Sequence, residues 1–287
     1  MPTSRRVRAD RCPGALRPWP AEDGLLVRLR LIGGLIGSTA LRSLAAVAEQ
    51  YGDGDVHLTS RANLQVRGLP GSDGALAPEA LAALEATGLL PTRTHELVRN
   101  VMVSPQSGSG GGRADLRTAA ADLDRLLCAE PVLATLPGRF LFVLDDGRGD
   151  LLDRECDLGL VALDDTSAQL RIGPGWGPVV PLAEAAAEIA ALATTFARRR
   201  GSGPDAPWHV AELAAPLAPA RPPDPRLPAS AGPLPYGPVL GGTHVAVPDG
   251  VLTRARIARL TDGVPTVIVT PWRGLLVPDR LVPEENR

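Results

Sequence analysis

Val56-His57-Leu58-Thr59-Ser60-Arg61-Ala62-Asn63-Leu64-Gln65-Val66-Arg67-Gly68 reads as a β-forming run in which Arg61 and Gln65 stand where apolar residues alone would build a strand. Before it, Leu25 to Leu31 alternates Leu-Leu-Val-Arg-Leu-Arg-Leu as a strand does, and Gly33-Gly34 breaks the alternation. Residues 38–51 then carry helical periodicity through Leu41, Leu44, Ala45, Val47 and Ala48, with Ser38 as the expected N-cap. Gly52-Asp53-Gly54 stops that helix, one strand is expected over Val56 to Val66, and a second helix over Pro78 to Thr87. The unit is strand, helix, strand.

The same order returns near the C-terminus. Thr243 to Val247 reads as strand, Pro248-Asp249-Gly250 as turn, Leu252 to Leu260 as helix and Thr266 to Val269 as strand. Thr59-Ser60-Arg61 closes the strand in the first copy and Thr270-Pro271-Trp272-Arg273 in the second, which points to a diverged internal duplication. The alternative is that any α/β chain holds two strand-helix-strand units. Between the copies, Arg99 to Val103 opens another unit, Leu116 to Leu127 and Leu182 to Arg199 read as helices, and Leu136 to Leu144, Leu158 to Leu163 and Gln169 to Ile172 as strands. The expected fold is α+β, two related strand-helix-strand halves around a central α/β lobe. The expected boundaries are an extension over 1–20, a first half over 21–90, the central lobe over 91–200, a Pro-rich linker over 201–235 and a second half over 236–287.

All 30 basic side chains are arginine, so no Schiff base and no low-pKa amine is available, and the abundance of arginine by itself signifies little. A net charge of -2 excludes the large basic excess of a nucleic-acid binder. Cys12, Cys128 and Cys156 are odd in number and dispersed, which fits reduced thiols in a cytoplasmic protein. Arg5, Arg6, Arg8 and Arg11 run into Pro13 and Pro18 without an apolar core, so no secretory signal is expected, and Leu182 to Ala197 is too short and too charged to span a membrane.

A lone arginine at a strand end is usually a solvated charge. Arg28 and Arg30, two apart on one face of a strand expected to pair near Arg61, shift that reading: three guanidinium groups converging at one sheet edge call for an anion. Arg67, Arg113, Arg117 and Arg198-Arg199-Arg200 read as solvated charges. His57, His95, His209 and His244 each stand alone, so no metal site is expected. Ser107-Gly108-Ser109-Gly110-Gly111-Gly112 reads as a flexible loop, and Asp145-Asp146 and Asp164-Asp165 as turns.

Arg28-Leu29-Arg30-Leu31-Ile32-Gly33-Gly34, Thr59 to Gln65, Arg99-Asn100-Val101, Leu136-Pro137-Gly138-Arg139-Phe140 and Thr270-Pro271-Trp272-Arg273-Gly274 together resemble, in order and spacing, the nitrite and sulfite reductase superfamily. Within it the resemblance runs toward the precorrin-3B synthases of aerobic cobalamin biosynthesis. It implies duplicated ferredoxin-like half-domains around the central α/β lobe and a tetrapyrrole ligand, a precorrin substrate or siroheme, with Arg28, Arg99 and Arg139 in the catalytic pocket and Arg30, Arg61, Gln65, Asn100 and Arg273 holding the macrocycle. Leu141 stands where reductases carry a second basic residue, which favours the precorrin reading, an oxygen-dependent hydroxylation with lactone formation. The alternatives are a siroheme-type reductase relative and a non-catalytic tetrapyrrole-binding or partner subunit. Such families also hold a [4Fe-4S] cluster on two close cysteine pairs, which this sequence lacks, so a separate cluster-bearing chain or self-association is expected.

Overall fold

The run at 56–68 folds as a hairpin and not as the single strand expected. Thr59 explains the reversal: its Oγ1 accepts from Asn63 N at 3.1 Å and Arg61 N at 3.3 Å, and its backbone N donates to Asn63 O at 2.9 Å. Such a hydroxyl-capped turn competes with strand extension, and Ala62 completes it with φ 55°. Thr270 to Gly274 repeats the device, with Arg273 at φ 56° and Thr270 Oγ1 accepting from Gly274 N at 3.2 Å.

The computed structural model describes residues 10, 12–203 and 205–279; Arg5, Arg6, Arg8 and Arg11 lie outside them. The first half carries β1 (Trp19–Ala21), β2 (Gly24–Leu29), β3 (Leu35–Gly37), α1 (Ser38–Tyr51), β4 (Asp55–Leu58), β5 (Leu64–Leu69), the short pair β6 (Gly71–Ser72) and β7 (Ala75–Leu76), and α2 (Pro78–Ala86). The central lobe adds β8 (Val101–Val103), α3 (Arg117–Ala129), β9 (Phe142–Asp145), β10 (Leu158–Ala162), β11 (Ser167–Ile172), β12 (Gly175–Pro181) and α4 (Leu182–Arg200). The second half carries β13 (Gly237–Val239), β14 (Gly242–Ala246), β15 (Val251–Thr253), α5 (Arg254–Leu260), β16 (Thr266–Thr270) and β17 (Gly274–Pro278). Three expectations shift locally. Gly37 takes the N-cap position while Ser38 donates its hydroxyl to Val264 O, Leu252 belongs to β15, and Leu136 to Leu141 is irregular before β9.

The duplication is visible in the sheets. One has the order β1-β2-β5-β4-β15 and another β13-β14-β17-β16-β3, so equivalent strands occupy equivalent places and each half lends its short pre-helix strand to the other. Leu35, Ile36 and Gly37 of β3 pair with Ile268, Val267 and Thr266, while β15 pairs with β4. One hydrophobic core results, with Leu41, Leu44 and Val56 of the first half packed among Leu252, Ile257, Val267 and Leu275 of the second. Gly34 sits at this seam with φ 73°, and a Cβ there would lie 2.0 Å from Val269 O.

The central sheet has the order β12-β11-β10-β9-β8, with β8, β9 and β10 parallel. Helices α3 and α4 cover one face, where Phe140 meets Phe142 and Phe196 at ring-centroid distances of 5.1 and 4.9 Å. The opposite face presents Met102, Leu141, Val143 and Leu151, and Trp272 of the second half packs on it. Residues 205–235 run along this lobe as a strap, clipped where Gln169 binds Pro222 O at 2.8 Å and Asp224 N at 2.8 Å.

Because Gly34 combines positive φ with a backbone oxygen in the Cβ position, Gly34→Ala is expected to destabilise the protein by about 2–4 kcal/mol. Urea denaturation measures this; an unchanged midpoint would mean that the seam opens without cost.

Candidate functional site

The capped turn of the first half is also what builds the site. Asn63, buried under that turn, accepts from Leu31 N at 2.9 Å and donates to Asn100 Oδ1 at 3.2 Å. Asn100 Oδ1 also accepts from Arg30 Nε at 3.2 Å, while its Nδ2 donates to Gly138 O at 2.8 Å and to Leu97 O and Phe140 O at 3.3 Å. Two buried amides therefore lock β2, the 59–63 turn and the Leu136–Phe140 segment together. In a low-dielectric interior such a fully engaged network fixes geometry closely.

Around this node stand the arginines. Arg28 lies opposite Gln65 in the β2–β5 ladder, and Gln65, with its amide oxygen turned inward, accepts from Arg28 Nη2 at 2.7 Å and Nε at 3.1 Å. Burial lowers the pKa of Arg28, and the neighbouring Arg61 charge lowers it further. Arg30 is buried more deeply; burial first and then Arg28 bring its pKa down to about 10, so it stays cationic at neutral pH. Its Nη1 donates to Pro13 O at 3.2 Å, and its Nη2 has no partner among the described residues. Arg61 Nη1 donates to Arg139 O at 3.0 Å, and the exposed Arg139 lies over the Trp208 ring at 4.7 Å. Asp10 reaches this group: its carboxylate accepts from Gly138 N at 2.6 Å and lies 3.6 Å from Arg139 Nε.

Arg61 and Arg139 form one side of a cleft of about 510 Å³ whose other walls include Leu141, Arg154, Arg171 and His209. That volume falls in the range of small-molecule sites, roughly 300–1,000 Å³. Arg171 donates to Leu151 O at 3.3 Å and Arg154 O at 2.9 Å, and Arg154 to Pro271 O at 3.4 Å. Arg28, Arg61, Arg154 and Arg171 thus bond carbonyl or amide oxygens, with no ion pair among the described residues. Asp157 anchors the floor, accepting from Leu141 N and Val210 N at 2.9 Å, and its hydrogen bond to the His209 ring raises the His209 pKa.

The structure brings together Arg28, Arg30, Arg61, Gln65 and Arg139 and separates the others. Arg28 stands on an interior strand of its sheet, flanked by β1 and β5, so the convergence expected at a sheet edge occurs over a sheet face. Arg99 is turned away into a bidentate pair with Asp124 at 2.6 and 2.8 Å, beside a different cavity under α3. Asn100 is 1% exposed with both polar atoms of its side chain engaged, so it positions the site without offering a side-chain contact to a ligand. Arg273 is exposed, its methylenes beside Gly250. Arg154, Arg171, His209 and Asp157 were not singled out by the sequence. Only the alternation of Gln169-Leu170-Arg171-Ile172 hinted at Arg171, and it could not say which face held a cleft.

The thiols do not assemble. Cys12 lies near Arg28 and Arg30, Cys128 on α3, and Cys156 in the cleft, where burial pushes its pKa up to about 11. Neutral thiols so dispersed do not fit a cluster that needs thiolates gathered on one metal centre. Among the described residues the one gathering of metal-type side chains is acidic, Asp145, Asp146 and Asp150. No helix among them is long and apolar enough to cross a membrane.

Residues 19–86 match the nitrite/sulfite reductase ferredoxin-like half domain. The chain is a nitrite/sulfite reductase-family relative. It is 30% identical to a precorrin-3B synthase of Sinorhizobium sp over 149 residues, covering 50% of this chain and 30% of that protein. It is 31% identical to a ferredoxin–nitrite reductase of Synechococcus elongatus over 144 residues, 47% of this chain and 28% of that protein. The solved Mycobacterium tuberculosis NirA protein superposes with a TM-score of 0.67 at 20% identity, over 90% of this chain and 55% of NirA. The chain thus spans under a third of these curated relatives and about half of NirA.

Removing the amide hub strands several buried groups at once, so Asn100→Ala is expected to cost about 2–4 kcal/mol. Chemical denaturation measures the loss; a cost within 0.5 kcal/mol, roughly that of a surface change, would show that the node is not structural.

Proposed function

We propose that this chain binds a polycarboxylate tetrapyrrole over the arginine face and cleft and acts in the manner of a precorrin-3B synthase. The observation that carries the reading is Arg61, Arg154 and Arg171 on the walls of one cleft, with Arg28 beside Arg61, none of them paired with a carboxylate among the described residues although Asp153 and Glu155 also line the cleft. Closely set guanidinium groups repel one another and are stabilised by a multivalent anion, and planar forks match carboxylates well. Leu141, buried at 7% exposure in the cleft wall, supplies an apolar surface where a second cation would favour a small oxyanion. The Sinorhizobium relative carries the precorrin-3B synthase name.

In this reading Arg28, oriented by Gln65, and Arg61, steadied on Arg139 O, bind peripheral carboxylates, while Arg154 and Arg171 answer those at the far rim. Leu141 and Leu152 exclude water from the ring face. His209, held by Asp157, adds positive charge to the rim when protonated. When bound, the iron centres of the family would supply redox chemistry; in the proposed reaction one oxygen atom of O2 enters the macrocycle, which closes a lactone, and the other leaves as water on two protons and two electrons from an external reductant. The three cysteines of this chain do not fit a [4Fe-4S] cluster, so that group belongs to residues or a partner chain beyond the site described.

One observation favours the second reading, a siroheme-type nitrite or sulfite reductase relative. Gly138 N and Arg139 already seat a carboxylate, that of Asp10, and a group of that size and charge resembles a small oxyanion.

Uroporphyrin tests the binding. Its visible absorbance titrated with the full chain is expected to show saturable binding that weakens with added salt. Each lost charge-assisted contact removes roughly 1.5–3 kcal/mol, so the Arg61→Ala, Arg171→Ala variant binds at least about tenfold more weakly. Equal binding by that variant would remove the reading. The precorrin assignment is tested separately by incubating precorrin-3A and O2 with the full chain, a reductant and an iron-cluster partner; the expected product is heavier by one oxygen atom.

A pH dependence follows from His209. Its raised pKa keeps it cationic to somewhat above the ordinary 6.5 and neutral at higher pH. Uroporphyrin affinity is therefore expected to fall as pH rises through that window, and His209→Gln to flatten the fall. A slope unchanged in the variant would place the titrating group elsewhere.

A further inference from the structure

The Asp145-Asp146-Gly147-Arg148-Gly149-Asp150 segment, read from sequence as a plain turn, leaves the C-terminal end of β9. Beside it, Ser104 leaves the C-terminal end of β8, the adjacent parallel strand. Crevices at the carboxyl ends of parallel strands are where open α/β sheets place ligands. Here the crevice holds three carboxylates, each with an oxygen within 4.8 Å of the others. Asp145 and Asp146 are 0% exposed and Asp150 is 8% exposed.

The three are not equally compensated. Asp145 accepts from the backbone N of Gly147, Gly149 and Leu151, each at 2.9 Å. Asp146 is bound by Arg148, with Nη2 at 2.8 Å and Nε at 2.9 Å. Asp150 has Ser104 Oγ at 2.7 Å on Oδ1, while its buried Oδ2 has no partner among the described residues. Asp145 is met by backbone N–H groups and Asp146 by Arg148, so Asp150 Oδ2 is the one oxygen of the group left for a further ligand among the described residues, and a buried polar atom is rarely left unpaired. The Gly-rich loop closes over the group, and a Cβ on Gly112 would lie 2.3 Å from Asp146 Oδ2. That loop too was read from sequence as merely flexible. Arg148 ties it down through Gly110 O at 3.0 Å and Gln106 Oε1 at 2.7 Å.

We propose that Asp145, Asp146 and Asp150 hold a hard divalent cation that joins the β9 loop to the Ser104 loop and the glycine-rich segment. All-oxygen, carboxylate-rich ligation selects calcium, magnesium or manganese over thiophilic metals. The unpartnered Asp150 Oδ2 becomes a ligand. The site is independent of the tetrapyrrole reading, since it lies at the strand ends and not in the arginine cleft.

The full chain, freed of metal with a chelator and dialysed, is titrated with CaCl2 by calorimetry and thermal unfolding, and its retained calcium is measured by elemental analysis. One saturable site, a raised melting temperature and about one calcium retained per chain are expected. Asp150→Asn is expected to lose the binding and the thermal shift while folding without metal, because an amide fits the same place and carries no charge to bury. Asp164→Asn, at an exposed turn, keeps both. Absence of saturable heat and of retained calcium in the wild type overturns the proposal, a measurement that depends on no variant. Equal binding by Asp150→Asn overturns it as well and marks an adventitious surface ion only.

Discussion

Everything in this molecule depends on the exchange of two short strands. β3 leaves the first half to pair with β16, and β15 leaves the second to pair with β4, so neither five-stranded sheet is complete without the other half. An unpaired sheet edge is costly to leave open, and here each half covers the other's edge while α1 and α5 close on one shared core. The seam permits no side chain at Gly34, where backbone meets backbone. The halves form one structural unit, which is why the 59–63 turn is held firmly enough to carry a site.

The consequence passes through the two equivalent turns, which the duplication has put to different uses. Thr59 to Asn63 and Thr270 to Gly274 share hydroxyl capping and a left-handed fourth residue. In the first copy the third residue is Arg61, bonded to Arg139 O at the cleft, and the fourth is a small buried Ala62. In the second copy the third residue is Trp272, packed on Met102, Leu141 and Val143 of the central sheet. One turn offers charge to a ligand and the other offers apolar area to the scaffold. The asymmetry puts the candidate site on one side of a pseudo-symmetric body.

The central lobe contributes polar groups of two kinds. Asn100 is spent entirely on internal bonds and sets the spacing between the first half and the Leu136–Phe140 segment. Arg99, its neighbour in sequence, is neutralised by Asp124, whereas Arg171, far away in sequence, faces the cleft with carbonyl partners only. Ion pairing thus decides which arginines remain available to an anion, and pairing depends on what folds nearby.

By itself the sequence determined what local dihedral and periodic preferences can encode. Helix α1 over Ser38–Tyr51, the turns at Gly33-Gly34 and Pro248-Asp249-Gly250, and the repeated Thr-led turn were legible because each rests on residues a few positions apart. The approach of Arg28 to Arg61 follows from β5 returning beside β2, whereas Arg30, beyond the end of β2, lines the cavity beside Arg99. The hairpin within 56–68 escaped notice because its apolar alternation outweighed the weaker signal of a hydroxyl capping its own turn. The strand exchange, the loss of Arg99 to Asp124, the closing of the cleft by Arg154, Arg171 and His209, and the gathering of Asp145, Asp146 and Asp150 around Ser104 belong to the tertiary structure alone. Edge pairing, charge compensation and burial are set by residues distant in the chain, and no local pattern fixes which partner arrives.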